Sequence, residues 1–301
     1  MIPVYYSPAY TLSAHAFDTT RKATWIAESL KHDPIAGVRL EEPLPLTREQ
    51  LCAVHDPAYV RAVETGAPRA LAQSQGFVWD PGFWPMVLAS NGGVVAAVRA
   101  ALEGGVAGSL SSGLHHARRD SGTGFCTFNG LVIAAHEALA LGARSVLILD
   151  LDAHCGGGTA SLIRGEPRIG QEDVSVAAFD AYSDGGRLRL TMVADAAEYL
   201  PTIRDQLAEI DREGQTWDLC LYNAGMDPCE LCTTGGLSGI DVPMLEARER
   251  LVFEWSASRG VPIAFVVAGG YVGPWLDQQG LVALHRITLE CAAARIAVDR
   301  R

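Results

Sequence analysis

The hydrophobic positions of the chain fall into short apolar runs that alternate with longer segments of helical periodicity. Six runs are apolar on both faces, which is typical of buried strands in a parallel sheet; they span residues 4–6, 106–111, 145–151, 174–179, 219–223 and 262–268. The helical pattern covers residues 20–31, 58–64, 85–102, 131–141, 198–211, 243–258 and 281–298. Strands that alternate with helices predict an α/β fold with a mainly parallel central sheet.

Length and composition predict one globular domain. The chain has 301 residues, 49% of them hydrophobic and 20% charged, and no long linker, repeat or low-complexity tract. We therefore expect a single domain over residues 1–301. No apolar run approaches the ~20 residues that a bilayer span needs, and the N-terminus has no basic region before an apolar core. These features predict a cytoplasmic location and no membrane partner.

Charge and cysteine content narrow the partners and the compartment. The formal net charge of −11 argues against nucleic acid as a partner, because a phosphate backbone needs a basic face. It suits a cationic substrate such as a polyamine or a lysine-rich tail. The seven cysteines are odd in number, which fits reduced thiols in the cytoplasm rather than a disulfide framework. The sequence carries no signal for the oligomeric state.

Four of the predicted strands are followed by clusters of polar residues. The clusters contain the pair His115 and His116, the run from Asp150 to His154, Asp227, and Tyr271 after two glycines. In an open parallel sheet, ligands bind beyond the carboxyl ends of the strands. We therefore expect the four clusters to converge on one cleft.

The spacing of Asp150, Asp152 and His154 indicates a metal site. Side chains at i, i+2 and i+4 of an extended chain point to the same side, and carboxylates at the end of a buried strand need a compensating charge. Asp152, His154 and the distant Asp227 would supply three ligands and leave a position open for water, as in catalytic zinc sites. This oxygen-rich set also suits Fe²⁺. Each cluster alone fits a strand-end loop with Asx turns, but the four together favour a metal centre.

The same segments resemble the histone deacetylase family. The resemblance lies in the twin histidines and Gly-Phe-Cys of residues 112–129, the metal loop of residues 146–159, Asn223-Ala-Gly-Met-Asp227, Gly269-Gly270-Tyr271 and residues 51–60. It covers nearly the whole chain in the right order. It implies one catalytic domain with the three-layer α/β/α fold of the arginase/deacetylase superfamily. Residues 179–182 and 235–237 and the compact length resemble the class IV branch and its bacterial relatives.

The resemblance implies a role for each residue of the predicted site. Asp152, His154 and Asp227 would bind Zn²⁺, with Fe²⁺ as the alternative ion. His116 would be the general base and His115 its partner near the leaving amine. Tyr271 would donate a hydrogen bond to the oxyanion, and Asp150 would hold His115 and help bind a structural K⁺ ion. Phe125 and Gly124 would line the acyl tunnel, with Gly269 and Gly270 as its far wall.

These roles predict a zinc-dependent hydrolase that uses a metal-activated water to remove an acetyl or longer acyl group from an amine. An acyl-lysine peptide, an acylpolyamine and a small metabolite all fit as the substrate. Two alternatives stay open: a non-catalytic protein that binds acyl-lysine or polyamine in the same pocket, and, less favoured, a ureohydrolase of the same fold. The ureohydrolase would need two further metal-binding aspartates where this chain has Gly156 and Gly225.

Three positions depart from the family pattern. Gly157 replaces the acceptor that usually orients the second twin histidine, which leaves open what holds His116. Cys155 stands where many relatives have a histidine and is predicted to be a buried, unreactive thiol. The segment after Phe179 lacks the Pro- and Gly-rich loop that narrows the tunnel, which predicts an open site for bulkier acyl groups. The histidines outside these clusters, including His55, are predicted to be structural.

Overall fold

A parallel sheet forms the centre of the protein, for which a computed structural model describes residues 1–15, 17–212, 214 and 216–299. In this part of the chain the strands are β1 (Ile2–Tyr5), β2 (Val38–Glu41), β3 (Val106–Ser109), β4 (Val146–Asp150), β5 (Ile169–Ser175), β6 (Leu188–Met192), β7 (Leu219–Gly225) and β8 (Ile263–Ala268). Their order across the sheet is β2-β1-β3-β8-β7-β4-β5-β6, and each pair of neighbours is parallel. The predicted α/β class is confirmed.

Helices connect the strands and flank the sheet. They are α1 (Asp18–His32), α2 (Arg48–Cys52), α3 (Pro57–Thr65), α4 (Arg69–Ala72), α5 (Phe83–Gly104), α6 (Gly130–Ala140), α7 (Gly157–Ile163), α8 (Ala196–Arg212), α9 (Val242–Arg259) and α10 (Gln278–Asp299). A short 3₁₀ helix spans Pro8–Thr11. All the predicted helices are present, with ends that differ by a few residues. The short helices α2, α4 and α7 were not predicted, because each is too short to show a helical period.

Alternate residues of the strands pack into two hydrophobic cores, one on each face of the sheet. In β8, Ile263 and Phe265 belong to one core and Ala264 and Val266 to the other, as the two-residue period of a strand requires. The first core is built mainly with side chains from α1, α8, α9 and α10, and the second with side chains from α3, α5, α6 and α7. The protein is therefore a three-layer α/β/α structure, as the resemblance implied.

Helix α5 is long and apolar enough, by length and composition, to cross a membrane. However, 61% of its most apolar stretch is buried inside the protein. It packs against β3 and α6, and Val94, Val98 and Ala101 lie in the second core. Burial of this kind is what a core helix of a folded protein shows.

The position of β5 corrects the prediction. The apolar pattern places a strand at residues 174–179, whereas β5 spans Ile169–Ser175 and is buried along its whole length despite Gln171 and Asp173. These side chains are hydrogen-bonded internally, since Gln171 donates to the Gly156 carbonyl and Asp173 accepts from the Gly156 amide. A hydrophobic pattern cannot reveal a strand whose buried residues are polar. The edge strands β2 and β6 were missed because most of their side chains are only half-buried.

Candidate active site

The four polar clusters of the sequence lie together at one edge of the sheet. Strands β3, β8, β7 and β4 are adjacent and parallel, so the segments that follow them leave the sheet on the same side. One pocket is lined by residues from all four segments, including His116, Asp152, Asn223 and Tyr271. The convergence expected from the sequence is therefore present in the structure.

Asp152, His154 and Asp227, here called the metal triad, form a group that can hold one metal ion. Their candidate ligand atoms all lie within 4.8 Å of one another. His154 Nδ1 is 3.2 Å from Asp152 Oδ1 and 3.1 Å from Asp227 Oδ2. The two carboxylates are buried and the imidazole is nearly so. The three predicted ligands are thus brought to one point from two different strands.

The charges of the metal triad fit a cation. Asp227 Oδ2 is buried without a hydrogen-bond partner among the described residues, although His154 Nδ1 lies 3.1 Å away. Burial lowers the pKa of His154, but its contacts with Asp152 and Asp227 outweigh burial and raise it to about 11. Burial and the neighbouring Asp152 raise the pKa of Asp227. Two carboxylates that repel each other in a buried site are stabilised by a divalent ion, which would take the place of the proton on His154.

His115 is paired with a buried carboxylate. Its Nδ1 donates to Asp150 Oδ2 at 2.8 Å, and Asn223 Nδ2 donates to the other Asp150 oxygen at 2.8 Å. Burial lowers the pKa of His115, but the charges of Asp150 and Asp152 outweigh burial and raise it to about 10. Asp150 therefore lies where the resemblance implies, as the acceptor that holds His115. The sequence analysis gave Asn223 no role, and the structure shows that its side-chain amide orients Asp150.

His116 is neutral and faces an acceptor that the sequence analysis missed. Its Nε2 lies 3.0 Å from Nε2 of His115, so the charged His115 donates and the neutral His116 accepts. Burial and the charge of His115 lower the pKa of His116 to about 4. His116 Nδ1 lies 3.0 Å from Oδ2 of Asp180, and Arg118 pairs with the same carboxylate. Because Asp180 follows a different strand, no local spacing in the sequence connects it with His116.

Tyr271 and the two glycines before it lie against the metal triad. Tyr271 lines the pocket, and its pKa is raised by burial and by the charges of Asp227 and Asp152, so the phenol keeps its proton. Gly269 has a φ of +54°, and a Cβ on it would lie 2.1 Å from Oδ1 of Asp227. Only glycine lets the backbone pass so close to this ligand. Gly270 follows with a φ of +82°, which completes the turn into Tyr271.

Lys22 of α1 is a buried amine beside the metal triad that the sequence analysis did not single out. Its Nζ donates to the carbonyl of Gly269. Burial lowers the pKa of Lys22 to about 7, although the nearby Asp227 and Asp152 raise it. A lysine in a helical pattern usually belongs to the solvated face, so the sequence contains no sign of this location.

Aromatic rings surround the outer part of the pocket. Phe125 is 39% exposed and stacks on Phe17 with ring centroids 4.9 Å apart. Phe179 is half-exposed and lies edge-on to the His116 ring, 4.9 Å between centroids. Gly124 packs directly against the same imidazole. Phe125 therefore lines the pocket and Gly124 lies against His116, whereas Phe17 reaches Phe125 from the segment before α1 without a motif to mark it.

Cys155 and His55 occupy structural positions. Cys155 is fully buried, and burial raises the pKa of its thiol to about 12, as expected of an unreactive cysteine. His55 is also fully buried; its Nδ1 donates to the Arg118 carbonyl at 2.8 Å and its Nε2 accepts from the Asn129 amide at 3.0 Å. This neutral imidazole joins the two ends of the loop that follows the twin histidines.

Protonation of His55 is expected to lower the free energy of unfolding by about 2 kcal/mol between about pH 7.5 and about pH 5. Burial lowers its pKa to about 4, whereas an imidazole in the unfolded chain titrates near 6.5. Acid therefore protonates the unfolded state first, and the stabilisation that is complete above 6.5 is lost as the pH falls towards 4. Urea unfolding of wild type and His55→Gln at both pH values measures the effect, with exposed His32→Gln as the control. Equal pH dependence in wild type and His55→Gln would contradict this expectation.

Comparisons with known proteins show a family match and a shared fold. The histone deacetylase domain family matches residues 15–182. The chain is 29% identical over 289 residues to an uncharacterized protein of Picosynechococcus sp., covering 89% of this chain and 92% of that protein. It is 25% identical over 294 residues to histone deacetylase 2 of Arabidopsis thaliana, covering 90% and 75%. The acetylpolyamine aminohydrolase of Burkholderia pseudomallei superposes with a TM-score of 0.80 at 20% identity, covering 98% and 99%, so the two chains share a fold.

Proposed function

The chain belongs to the histone deacetylase domain family, and on this basis we propose that it is a zinc-dependent hydrolase that removes an acyl group from an amine. The family resemblance seen in the sequence is confirmed, while the closer similarity to the class IV branch stays a prediction. Its relatives include a histone deacetylase and a probable deacetylase of Methanothermobacter thermautotrophicus. These relatives support a deacetylase activity in general.

One observation carries the proposal: a metal-binding group, a neutral base and a phenol meet in a single pocket. The metal triad supplies three ligands within 4.8 Å of one another. Asp152 of this triad, His116 and Tyr271 all line the pocket. A protein that only binds an acylated amine needs neither a base nor an oxyanion donor, so the combination favours catalysis over binding alone.

The residues around the pocket suit the hydrolysis of an amide. When bound at the metal triad, a divalent ion supplies Lewis acidity towards the amide carbonyl and the attacking water. Neutral His116 carries its lone pair on Nε2, which can take the proton of the water when the water replaces His115 as the donor to this atom. The cation on His115 lies beside this base and near the site expected for the leaving amine. Tyr271, which keeps its proton, can donate a hydrogen bond to the oxyanion as it forms.

The space around the metal triad argues against a ureohydrolase. A Cβ on Gly225 would lie 2.4 Å from Cα of Asp152, and a Cβ on Gly156 would lie 2.7 Å from Oδ2 of Asp150. A side chain at Gly225 would require the backbone of Asp152 to move, and a side chain at Gly156 would displace the side chains of Gln171 and Asp150. A single metal ion is therefore favoured, with Zn²⁺ as our proposal and Fe²⁺ as the alternative. A structural K⁺ ion near Asp150 stays a prediction.

We favour an acylated amine as the substrate, with an acyl-lysine peptide, an acylpolyamine or a small metabolite as the carrier. The net charge of −11 suits an amine that bears further positive charges. The open site for acyl groups longer than acetyl stays a prediction. The cytoplasmic location stays a prediction.

The purified chain is expected to hydrolyse acylated amines only with its metal in place. Chelation should reduce turnover of acetyl-lysine, octanoyl-lysine and acetylpolyamine reporters by more than about 10²-fold, because several kcal/mol of charge stabilisation are removed. Added Zn²⁺ should restore it, and a hydroxamate should inhibit because its two oxygens can chelate the ion. Metal analysis of the same samples relates activity to occupancy.

The controls separate the alternatives. Zinc-loaded protein that binds an acylated amine but turns over none of the reporters would establish the non-catalytic binding protein. Urea release from a guanidino substrate would favour the ureohydrolase. A strong preference for acetyl over octanoyl would contradict the open site for longer acyl groups while leaving the hydrolase in place.

A further inference from the structure

The acceptor of His116 comes from a part of the chain that the family pattern does not use. The family position for this acceptor is Gly157, which has no side chain. In its place, Asp180 approaches His116 from the loop between β5 and β6. Asp180 directly follows Phe179, whose ring packs against the same imidazole.

The Asp180 carboxylate is fully engaged by three donors. Oδ2 accepts from His116 Nδ1 at 3.0 Å and from the Gly158 amide at 3.0 Å. Oδ1 accepts from the guanidinium of Arg118. The side chains of His116 and Asp180 are only 6% and 5% exposed, so water cannot readily replace this acceptor.

The backbone around Gly157 is shaped to admit Asp180. A Cβ on Gly157 would lie 2.2 Å from the Asp180 carbonyl oxygen and 2.6 Å from its Oδ1. A side chain at position 157 and the observed loop therefore exclude each other. Asp180 itself has a φ of +62°, in the left-handed region that aspartate tolerates better than most residues. The left-handed residue of this loop is therefore the same residue whose carboxylate contacts His116.

We propose that Asp180 is the positioning residue of His116, and that it takes over the role of the acceptor that Gly157 lacks. An acceptor at Nδ1 holds the proton there, so the lone pair of His116 lies on Nε2, the atom 3.0 Å from His115 Nε2. The ring is also kept from turning, so the base stays at the distance from His115 that the structure shows. The inference rests on the proposed function, because His116 is the general base of that reaction.

Arg118 supports Asp180 from the other side. Besides its contact with the carboxylate, it donates to the carbonyl of Gly157 at 3.3 Å, so one guanidinium connects the Asp180 loop with the start of α7. Its side chain is 40% exposed, and a partly exposed ion pair contributes little by itself. We therefore expect Arg118→Met to reduce kcat by less than about tenfold, a smaller loss than that caused by removal of Asp180.

The first test compares kcat, KM and metal content of three variants. Asp180→Ala is expected to reduce kcat by on the order of 10²-fold with KM and zinc content unchanged, because only the orientation of the base is lost. Asp180→Asn keeps an oxygen that accepts from His116 and should recover kcat to within about tenfold of wild type. Asp184→Ala is the matched control, since this exposed aspartate of the same loop contacts only the Leu190 amide among the described residues. It should retain wild-type kcat.

The second test does not depend on turnover. Proton and nitrogen NMR of isotope-labelled histidine should show a protected Nδ1–H of His116, with the signal assigned by its absence in His116→Ala. This signal should persist in Asp180→Asn and Asp184→Ala and disappear in Asp180→Ala.

The outcomes of the two tests are distinguishable. A protected signal in Asp180→Ala, or a kcat within twofold of wild type with zinc bound, would overturn the role of Asp180. A loss of kcat that follows a loss of zinc or of folded protein, equally in the alanine and asparagine variants, would also overturn it in favour of a purely structural role. A wild type without turnover on any acylated amine would refute the proposed function, while the NMR signal would still decide whether Asp180 holds His116.

Discussion

Replacing Asp227 by alanine is expected to abolish both metal retention and activity. Asp227 is the only member of the metal triad that follows β7, and its Oδ2 is the buried oxygen without a hydrogen-bond partner among the described residues. Without it, two ligands remain, and a two-ligand site holds a divalent ion weakly. Removal of a residue that only hydrogen-bonds to a metal ligand lowers metal affinity by up to about 10²-fold. Loss of the ligand Asp227 itself should lower metal affinity further. Activity should fall by more than about 10²-fold with it.

Asp227→Asn separates loss of the metal from loss of the fold. The Oδ1 of Asp227 accepts from the Ala153 amide at 3.1 Å, and an asparagine oxygen can keep this bond. Metal content by elemental analysis and thermal unfolding with and without Zn²⁺ are the measurements. Wild type should be stabilised by about 3 kcal/mol at a free zinc concentration of about 100 times Kd, whereas both variants should show little change. Asp195→Asn, on the surface, is the control; stoichiometric zinc and full activity in Asp227→Ala would contradict the ligand assignment.

Tyr271→Phe is expected to keep the metal but reduce kcat by about 10²–10³-fold. Loss of a single donor to a developing oxyanion has this effect in other hydrolases. Burial and the charges of Asp227 and Asp152 raise the pKa of the phenol and so keep its proton in place. Its hydroxyl has no hydrogen-bond partner among the described residues, so phenylalanine should fill the same space without disturbing the fold.

The effect of Tyr271→Phe is measured separately on kcat and on KM. An interaction made only in the transition state lowers kcat and kcat/KM by the same factor and leaves KM unchanged. Zinc content and hydroxamate affinity serve as controls, because neither requires the oxyanion donor in full. A near-normal kcat in Tyr271→Phe would remove this residue from the mechanism.

The strand-end residues of the site could be predicted because local chemistry marks them. Asp152 and His154 follow a strongly apolar strand at a spacing that places them together, and Asp227 and Tyr271 follow strands of the same kind. Parallel strands that end at one edge of a sheet bring such residues into one cleft. The strands β3, β4, β7 and β8 were predicted nearly in place because each is a short run of apolar residues.

Residues that reach the site from other directions could not be predicted. Lys22 comes from a helix, Phe17 from the segment before it, and Asp180 from the loop that follows β5. Each has an ordinary local sequence, and only its burial or its partner distinguishes it. The strand β5 itself was misplaced because Gln171 and Asp173 are buried through hydrogen bonds that the hydrophobic pattern does not contain.

The sequence by itself determined the α/β class and the family and marked three candidate metal ligands, because hydrophobic period and strand-end chemistry are local properties of the chain. Only the tertiary structure decided the opposite pKa shifts of the twin histidines, since these depend on Asp150 beside His115 and on the burial of His116. It also decided that Asp180 stands in for the side chain missing at Gly157. The pKa of a buried group and the partner of a hydrogen bond depend on what folding brings near in space, and separation along the chain does not contain that information.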